Sequence, residues 1–454
     1  MKNWFLIILI VALLILTLFG VRYGIPFRGR SHKTLHPPSR FSGMTLKEQV
    51  NQAIERGIKW LASKQSSDGA WRSETYGLLK SGQSMTPFTL YALTQLANSK
   101  SQIPISNKRL NDGLRFLLDQ INPDGSVGMR GIPDYPTYST ALALIVLTRL
   151  KPDNWQNQAK LLLGYLKSQQ LIDNWGWSES DNQYGGWGIG GWIKKPADPM
   201  PEVIKNLVIE RVDMSHTVFV LEALKSINLE ETVPHGTVAT KSPLVKALVF
   251  VKRCQNFSED TLPGGPKLFD GGFIFAPEAI LGNKAGPAEK ATDGFNHYRS
   301  YGSMTADGVR ALLFCGLDKD HPRVKAGIKW LVDNFRVDAT PGFSSEPQPP
   351  WAQGVVFYYY WSLARLLNEL DIAVLERDSG HAYGGSVHHG GCAEGITEGT
   401  DRLEWAEQIA VKLIQVQRVD GSWVNPVGLM KEDDPLISTN FALMTLHYCY
   451  EYIH

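Results

Sequence analysis

Gly57-Ile-Lys-Trp60-Leu61-Ala-Ser-Lys-Gln65-Ser-Ser-Asp-Gly69-Ala-Trp71 is an apolar segment followed by Gln, a short turn with Gly, and Trp. The same order returns near the other end of the chain as Leu413-Ile-Gln-Val-Gln417-Arg-Val-Asp-Gly421-Ser-Trp423. Degenerate copies between them place Gln120 before Gly125, Gln169 before Gly176-Trp177, Gln255 before Gly272-Phe273, and Asn334 before Gly342-Phe343. Six copies of one element indicate a repeat protein.

A second element alternates with the first. It is a start that contains Ser or Thr, followed by a run that is apolar nearly all round, as in a helix buried on both sides. The starts are Ser84–Thr86, Tyr138–Thr140, Asp213–Thr217, Ser303–Thr305 and Ser438–Thr439, while the run Val355–Leu370 lacks the pair. We expect each hydroxyl to cap the backbone N–H groups of its own helix.

Amphipathic helices such as Leu46–Gln65 carry the Gln-Gly-Trp element and alternate with the buried helices. Six outer and six inner helices predict an all-α fold, an α/α toroid of six helical hairpins over residues 45–454. We expect each Gln-Gly-Trp element at the C-terminal end of an outer helix. There the glycine would be the left-handed stop and the Trp would pack on the next hairpin, so the element is structural.

Composition excludes several classes of protein. The 454 residues are 43% hydrophobic and 20% charged, which indicates a folded chain. The 46 Lys and Arg are balanced by 45 Asp and Glu, so the chain has no excess of positive charge that would attract a nucleic acid. We therefore expect no nucleic-acid partner. The four cysteines form no CxxC pair, which argues against a zinc module, and we expect no cofactor.

The N-terminus carries a membrane signal. Residues 4–21 are almost wholly apolar and, as a helix, span roughly one hydrocarbon core. We predict a single-pass membrane anchor in residues 1–21, with a cleaved signal peptide as the alternative. Residues 22–44 form a basic linker; the positive-inside rule favours a cytoplasmic body, but we leave the side of the membrane open.

The six repeats resemble the QW motifs of the squalene/oxidosqualene cyclase and protein prenyltransferase β-subunit superfamily. The resemblance covers about residues 45–454 and includes Ser300-Tyr-Gly-Ser-Met-Thr305 and Gln353-Gly-Val-Val-Phe-Tyr-Tyr-Tyr360. Squalene cyclases carry two helical domains and this chain has length for one, so it resembles the bacterial single-toroid proteins. The resemblance implies a central cavity for a hydrophobic or isoprenoid small molecule; a fold alone does not settle the function.

The reactive residues of that superfamily are not kept. Its class II cyclases protonate an alkene with an Asp of a DxDD motif, and the matching segment here is Asp213-Met-Ser215-His216-Thr217. Ser215 stands at the position of the acid, and a serine hydroxyl is far too weak an acid for that step. In the prenyltransferase pattern Phe295 stands where the zinc-binding Cys should be, and a phenyl group cannot bind zinc.

Candidate catalytic residues lie at the starts of inner helices. Asp213 and His216 could perform acid–base chemistry as a pair, and the alternative for Asp213 is a simple helix cap. Asp307, one turn into another inner helix, either lines the cavity or extends a cap. Four aromatic side chains are predicted to line the cavity, where they could grip an isoprenoid chain, or else to form ordinary core: Tyr301, Tyr358, Tyr359 and Trp361.

Two glycine-rich segments call for separate interpretations. Gly185-Gly-Trp187-Gly-Ile-Gly-Gly-Trp192 follows no predicted strand, so we interpret it as a Trp-containing lid and not as a dinucleotide loop. Residues 381–394 lie between the fifth and sixth hairpins and contain the candidate metal ligands His388, His389 and Cys392. The alternative for that segment is a long loop that binds no metal.

Three functions stay open at this point. The first is a membrane-anchored toroid that binds or transforms a polyisoprenoid or other lipid. The second is a non-enzymatic binding or scaffold protein of the envelope. The third is a carbohydrate-active α/α-barrel enzyme, which needs paired carboxylates about 5–10 Å apart, such as Asp213 and Asp307. An apolar aromatic cavity would favour the first, a filled centre the second, and a polar trough the third.

Overall fold

Two kinds of helix alternate along the chain. The computed structural model describes residues 43–97, 106–129, 134–191, 193–196, 212–227, 242–257, 269–277, 282–288, 297–344, 350–378 and 400–453. The α-helices in these ranges are α1 (Leu46–Lys64), α2 (Met85–Ala97), α3 (Asn107–Asp119), α4 (Pro136–Leu150), α5 (Trp155–Ser168), α6 (Met214–Ser226), α7 (Pro243–Arg253), α8 (Gly302–Phe314), α9 (Pro322–Asp333), α10 (Trp351–Gly354), α11 (Val356–Glu369), α12 (Trp405–Val416) and α13 (Pro435–Tyr452).

The inner helices α2, α4, α6, α8, α11 and α13 form a closed ring. Each packs on the next in this order, and α13 returns to pack on α2. The outer helices pack against this ring from outside, for example α3 on α2, α5 on α4, α9 on α8 and α12 on α13. The predicted all-α toroid of six outer and six inner helices is therefore confirmed for the described residues.

Burial explains the two sequence patterns. In the outer helix α3 the buried residues are Leu110, Gly113, Leu114 and Leu117, which form one face of a helix. In the inner helix α8 every residue from Gly302 to Leu312 is buried, because outer helices cover one side and the centre of the ring covers the other. Burial on both sides is why the inner runs are apolar nearly all round.

Glutamine side chains join neighbouring outer helices. Nε2 of Gln65 donates to the carbonyl oxygens of Gly69 and of Arg109 in α3, both at 2.9 Å. Nε2 of Gln417, after α12, donates to Ala53 in α1 at 2.9 Å and so closes the outer ring. The element is structural, as predicted.

The glycine of the element is not the helix stop that the sequence predicted. Helix α1 ends at Lys64 with Gln65 as its C-cap, and Gly69 lies in the following turn with φ of 93°. A Cβ there would lie 2.2 Å from the carbonyl oxygen of Asp112, so close approach to the next outer helix requires glycine.

The third repeat was predicted at the wrong residues. Gln170, and not Gln169, donates from Nε2 to Gly185 at 2.9 Å and to Pro243 of α7 at 2.9 Å. Trp187 is fully buried and its Nε1 donates to Leu166 at 2.7 Å, so it is the repeat's Trp and no part of a lid. A longer turn separates Gln from Gly here, which hid the match from a spacing argument.

The threonines at the inner-helix starts also differ from the prediction. They lie inside their helices, and each hydroxyl accepts a hydrogen bond from the backbone N–H of the preceding repeat's final residue. The pairs are Trp71 with Thr86, Val127 with Thr140, Trp187 with Thr217, Phe273 with Thr305, and Trp423 with Thr439, at 3.0–3.1 Å. The hydroxyl thus fastens each inner helix to a repeat element.

Two features lie outside the predicted pattern. An antiparallel ribbon of β1 (Leu375–Asp378) and β2 (Thr400–Leu403) pairs Leu375 with Leu403. In the part of the chain that the structure describes, none of the helices has the length and apolar character needed to span a bilayer. The predicted anchor, residues 22–42 of the linker and the segment with His388, His389 and Cys392 lie outside the described residues.

Candidate functional site

The inner helices begin at the same end of the ring. Tyr138, the third residue of α4, stacks on His216, the third residue of α6, with 3.9 Å between ring centroids. Tyr358, the third residue of α11, donates to Asp307 in the second turn of α8. Because each contact joins residues that lie about equally far from the starts of their helices, the inner helices in contact run in the same direction. We call the end of the ring where they start the mouth.

Asp213 is both a helix cap and the partner of His216. Its Oδ1 accepts from the backbone N–H of His216 and from Ser215 Oγ, each at 2.8 Å. Its Oδ2 lies 2.6 Å from His216 Nδ1. The side chains are almost fully buried, with residue exposures of 3% and 5%. The two alternatives for Asp213, cap and acid–base partner, therefore coexist in one residue.

A directed chain of hydrogen bonds leads from Tyr138 to Asp213. A carboxylate only accepts hydrogen bonds, so Ser215 gives its single proton to Asp213, and His216 carries its proton on Nδ1. The hydroxyl of Tyr138 lies 2.5 Å from Ser215 Oγ and must then be the donor. Ser215, which replaces the acid of the resembling family, relays a hydrogen bond and supplies no proton of its own.

Nε2 of His216 is the unused atom of this cluster. It is buried and has no hydrogen-bond partner among the described residues. Leaving such an atom unpartnered in a protein interior is unfavourable by about 1–3 kcal/mol. With Nδ1 fixed by Asp213, Nε2 is the position at which the ring can accept or deliver a proton.

Aromatic rings fill the centre of the ring just below His216. Phe219 lies 5.6 Å from Trp361, and Trp361 and Tyr358 each lie 5.4 Å from Phe441. Because α6 and α11 are not neighbours in the inner ring, the contact of Phe219 with Trp361 crosses the lumen. Tyr138 and Tyr358 are half-buried. We call this group the aromatic layer: Phe88, Tyr138, Phe219, Tyr358, Trp361 and Phe441.

Asp307 lies at the edge of the aromatic layer with its oxygens occupied. Oδ2 accepts from the hydroxyl of Tyr358 at 2.6 Å, and Oδ1 accepts from the hydroxyl of Ser362. Burial raises the pKa of Asp307, while Arg310, 3.6 Å away, opposes that rise. Its bonds hold α8 to α11, so both carboxylate oxygens have a structural partner.

Below the aromatic layer a buried ionic cluster closes the lumen. Both guanidinium Nη atoms of Arg365 lie 2.6 Å from Glu222 oxygens, and Arg310 lies 3.4 Å from the same carboxylate. The hydroxyl of Tyr91 donates to Glu222 at 2.9 Å. Burial opposes ionisation of Glu222, but the guanidinium groups lower its pKa to about 2. We call this group the ionic layer: Tyr91, Glu222, Arg310, Arg365 and Glu369.

Two predicted cavity residues lie away from the aromatic layer. Tyr301 is the residue before α8, and its ring packs edge-on against Phe343 with 5.3 Å between centroids. Tyr359 is fully buried on another side of α11, where its ring lies against Gly302 at the start of α8. Tyr358 and Trp361, in contrast, both belong to the aromatic layer.

Sequence reasoning missed Asp134, which precedes α4 at the mouth. Its residue exposure is 2%, and neither carboxylate oxygen bonds to a described residue. Burial raises its pKa to about 6. The available signal was its place two residues before the inner helix α4, one residue further from the helix than Asp213 is from α6.

Solved structures with this architecture include type II terpene cyclase MstE from Scytonema. A variant in complex with its substrate, geranylgeranyl dihydroxybenzoate, aligns with a TM-score of 0.51 and 12% identity over 90% of this chain and 99% of that chain. The apo structure aligns with a TM-score of 0.50 and 12% identity over 89% and 99%. A glycosidase variant aligns with a TM-score of 0.46 and 11% identity over 90% of this chain and 98% of that chain.

No protein-family model matches the sequence, and no curated protein matches it at a significant level. At 12% identity the likeness to the terpene cyclase concerns the fold and not the reaction. The chain has an α/α toroid fold similar to that of the type II terpene cyclase MstE, as the resemblance of its repeats implied.

Proposed function

We propose that this protein binds a polyisoprenoid or similar hydrophobic small molecule at the mouth of the toroid and moves a proton on it through His216. The observation that carries the proposal is the buried, unpartnered Nε2 of His216 beside half-buried Tyr138. Asp213 fixes the imidazole ring next to aromatic side chains, and a bound ligand would give Nε2 the partner that it lacks. Residues 4–21 would hold the toroid at a membrane, where such ligands dissolve.

The reaction class follows from the hydrogen bonds. Ser215 and Asp213 supply no free acid. The Asp213 carboxylate is the acceptor for Ser215 Oγ, for the backbone N–H of His216 and for His216 Nδ1, all of its own helix start. An imidazole can instead remove a proton from a carbon that a conjugated carbonyl makes acidic, since the electron pair left behind moves onto the carbonyl oxygen. It can return the proton to another carbon of the chain, so that a double bond shifts. Aromatic faces beside it can pack against the conjugated chain of the ligand. The proposed activity is therefore isomerase- or transferase-like and not alkene protonation.

The experiment follows binding and proton transfer separately. The purified full-length protein in detergent is mixed with geranylgeranial, the conjugated aldehyde, in heavy water. Tryptophan fluorescence reports binding, and mass spectrometry of the recovered lipid reports deuterium bound to carbon. We expect binding by the wild type and by His216→Phe, which keeps the stack on Tyr138, with deuterium uptake lost in the variant. His447→Phe, a buried histidine near the other end of α13, is the matched control and should behave as wild type.

A second candidate function has its own support. The aromatic and ionic layers fill the lumen between inner helices that are not neighbours, which favours a non-enzymatic binding or scaffold protein. Binding without deuterium uptake in the wild type would move the assignment to this candidate. Absence of any lipid binding by the wild type would contradict the first proposal.

A further inference from the structure

Lys284 is a half-buried lysine in an ordered turn beside the start of α6. The side chain of Asn283 closes this turn, because its Oδ1 accepts from the backbone N–H of Phe275 at 2.8 Å and its Nδ2 donates to the following carbonyl oxygen at 2.7 Å. The carbonyl oxygen of Phe275 accepts from the backbone N–H of Met214, the first residue of α6, at 2.8 Å. These bonds join the lysine's turn to the helix start that Asp213 caps.

The amino group of Lys284 lies between two aromatic rings that belong to different sides of the mouth. Its Nζ is 4.0 Å from the ring centroid of Phe275 and 6.0 Å from that of Trp351. Phe275 is bonded to the start of α6, whereas Trp351 begins α10, directly before α11. Because α6 and α11 are not neighbours in the inner ring, an amino group close to both sides lies across the mouth.

This amino group has no ionic partner among the described residues. Its hydrogen bond goes to the carbonyl oxygen of Gly282 at 3.2 Å, and none of the described carboxylates forms an ion pair with it. Burial lowers the pKa of Lys284 from 10.5 to about 8, with Asp213 opposing this shift and Lys431 adding to it. A lysine in this state is partly a neutral amine near neutral pH, and the neutral amine is the nucleophilic form.

We propose that Lys284 is a catalytic residue that forms an imine with a carbonyl group of the ligand, so that His216 acts on a covalently held chain. The inference rests on the proposed function and narrows its substrate class to a conjugated aldehyde. The lysine is an observation independent of His216, and Asp213 is the neighbour that the two share. With the carbonyl carbon bound to Nζ across the mouth, the apolar chain would extend towards the aromatic layer.

The imine explains how a weak base can remove a proton from carbon. The nitrogen lone pair of Lys284 attacks the carbonyl carbon, both hydrogens of the amine leave with the carbonyl oxygen as water, and a C=N bond replaces the C=O bond. The imine then takes up a proton from solvent, and its positive charge withdraws electrons from the conjugated chain more strongly than a neutral carbonyl does.

Proton transfer and release complete the sequence. When Nε2 of His216 removes a proton at the far end of the conjugated system, the electron pair moves along the chain and neutralises the imine nitrogen. The imidazolium returns the proton to the carbon next to the C=N carbon, so a double bond shifts and the imine is charged again. Water then hydrolyses the imine, which frees the isomerised aldehyde, the amine of Lys284 and one proton.

Borohydride trapping tests the imine directly on the wild type. Full-length protein in detergent is mixed with an equal concentration of geranylgeranial, sodium borohydride reduces any imine to a stable secondary amine, and mass spectrometry of peptides locates the lipid. At about pH 8 roughly half of Lys284 is neutral, compared with less than about 1% of an ordinary lysine. We therefore expect at least about tenfold more adduct on Lys284 than on any other lysine.

Two variants separate the amine from its charge. Lys284→Arg keeps a positive charge but cannot form an imine, so it should lose both the trapped adduct and the deuterium uptake while it still binds geranylgeranial. Lys431→Arg is the matched control, because Lys431 is another half-buried lysine at the mouth, 5.5 Å from the ring centroid of Tyr135. It should keep the adduct and the uptake, and circular dichroism checks that each variant is folded.

The outcomes distinguish this inference from the proposed function. Deuterium uptake by the wild type without an adduct on Lys284, or full uptake by folded Lys284→Arg, would overturn the imine and keep proton transfer through His216. An adduct on Lys284 without deuterium uptake would keep the imine and contradict the proton transfer. Neither adduct nor uptake would contradict both.

Discussion

The mouth and the ionic layer both bury charged groups, but they differ in how far their polar atoms are satisfied. In the ionic layer Glu222 accepts from Tyr91, Arg310 and Arg365, and each buried side-chain polar atom of its five described residues has a partner. At the mouth the groups that lack partners among the described residues include Nε2 of His216, the carboxylate of Asp134 and, slightly deeper, Nε1 of Trp361.

Within one lumen, this difference distinguishes polar groups that hold helices together from polar groups that are open to a ligand. A satisfied network joins helices that are not neighbours in the ring, and nothing in it is available to a ligand. Unpartnered buried atoms instead lower stability, and a ligand that binds at the mouth can complete those that lie there. Substitutions at three buried carboxylates test this contrast, and their expected effects on stability decrease from the ionic layer to the mouth.

The largest effect is expected from Glu222→Ala in the ionic layer. It leaves Arg310 and Arg365 buried with only the half-buried Glu369 as a shared carboxylate, and the loss of one partner of a buried ion pair is unfavourable by about 3–5 kcal/mol. Urea unfolding at neutral pH measures the change in the free energy of unfolding. A change of about 1 kcal/mol or less, as for a surface salt bridge, would contradict the structural role.

The same carboxylate sets a pH dependence. The folded-state pKa of Glu222 lies below the ordinary value of 4.5, at about 2. Its stabilising contribution is therefore complete above 4.5 and is lost as the pH falls towards 2. The wild type should lose stability relative to Glu222→Ala over that interval, which urea unfolding at a series of pH values measures.

A smaller effect is expected at Asp213, although it is as deeply buried and lies at the start of the same helix. Its described partners belong to its own helix start, so Asp213→Ala removes a cap, which is worth about 1–2 kcal/mol. Asp213→Asn keeps a good capping residue and should lose less. Unfolding in urea again gives the values, and losses equal to that of Glu222→Ala in both variants would remove the distinction between mouth and ionic layer.

The smallest change, and one of opposite sign, is expected for Asp134→Asn. Burial raises the pKa of Asp134 from 3.8 to about 6, so the wild type loses stability as the pH rises through that interval. The variant should be the more stable protein above it, by on the order of 1 kcal/mol, and should gain nothing below it. Asp434→Asn is the control, since Asp434 Oδ1 accepts from Leu436 N at 2.9 Å. A gain that does not vary with pH would contradict the prediction.

The repeat pattern predicted most of the fold, since helix periodicity and turn chemistry are local. It assigned outer and inner helices correctly, but it misplaced the third Gln-Gly-Trp element. Gln170 and Gly185 are separated by a longer turn than Gln65 and Gly69, and only their common hydrogen bond identifies them as equivalent. It also predicted that Thr86 and the equivalent threonines cap their own helices. Their actual partner N–H groups lie 13 to 32 residues earlier in the chain, where a local pattern does not reveal them.

Site prediction worked where position on a helix was informative. Asp213 and His216 are three residues apart at a helix start, so their pairing follows from local geometry. The burial of Asp134, two residues before α4, depends on the surrounding hairpins, and no periodicity in the sequence marks it.

Local sequence was thus sufficient for the helices, their two degrees of burial and the α/α ring that they build, because each hairpin repeats one chemical pattern. The ring's closure settled everything that depends on distant partners: which carboxylate is satisfied, which histidine nitrogen is unpartnered, and which aromatic rings meet across the lumen. Glu222 and Arg365 are 143 residues apart, and only packing six hairpins in a circle brings such groups to one centre.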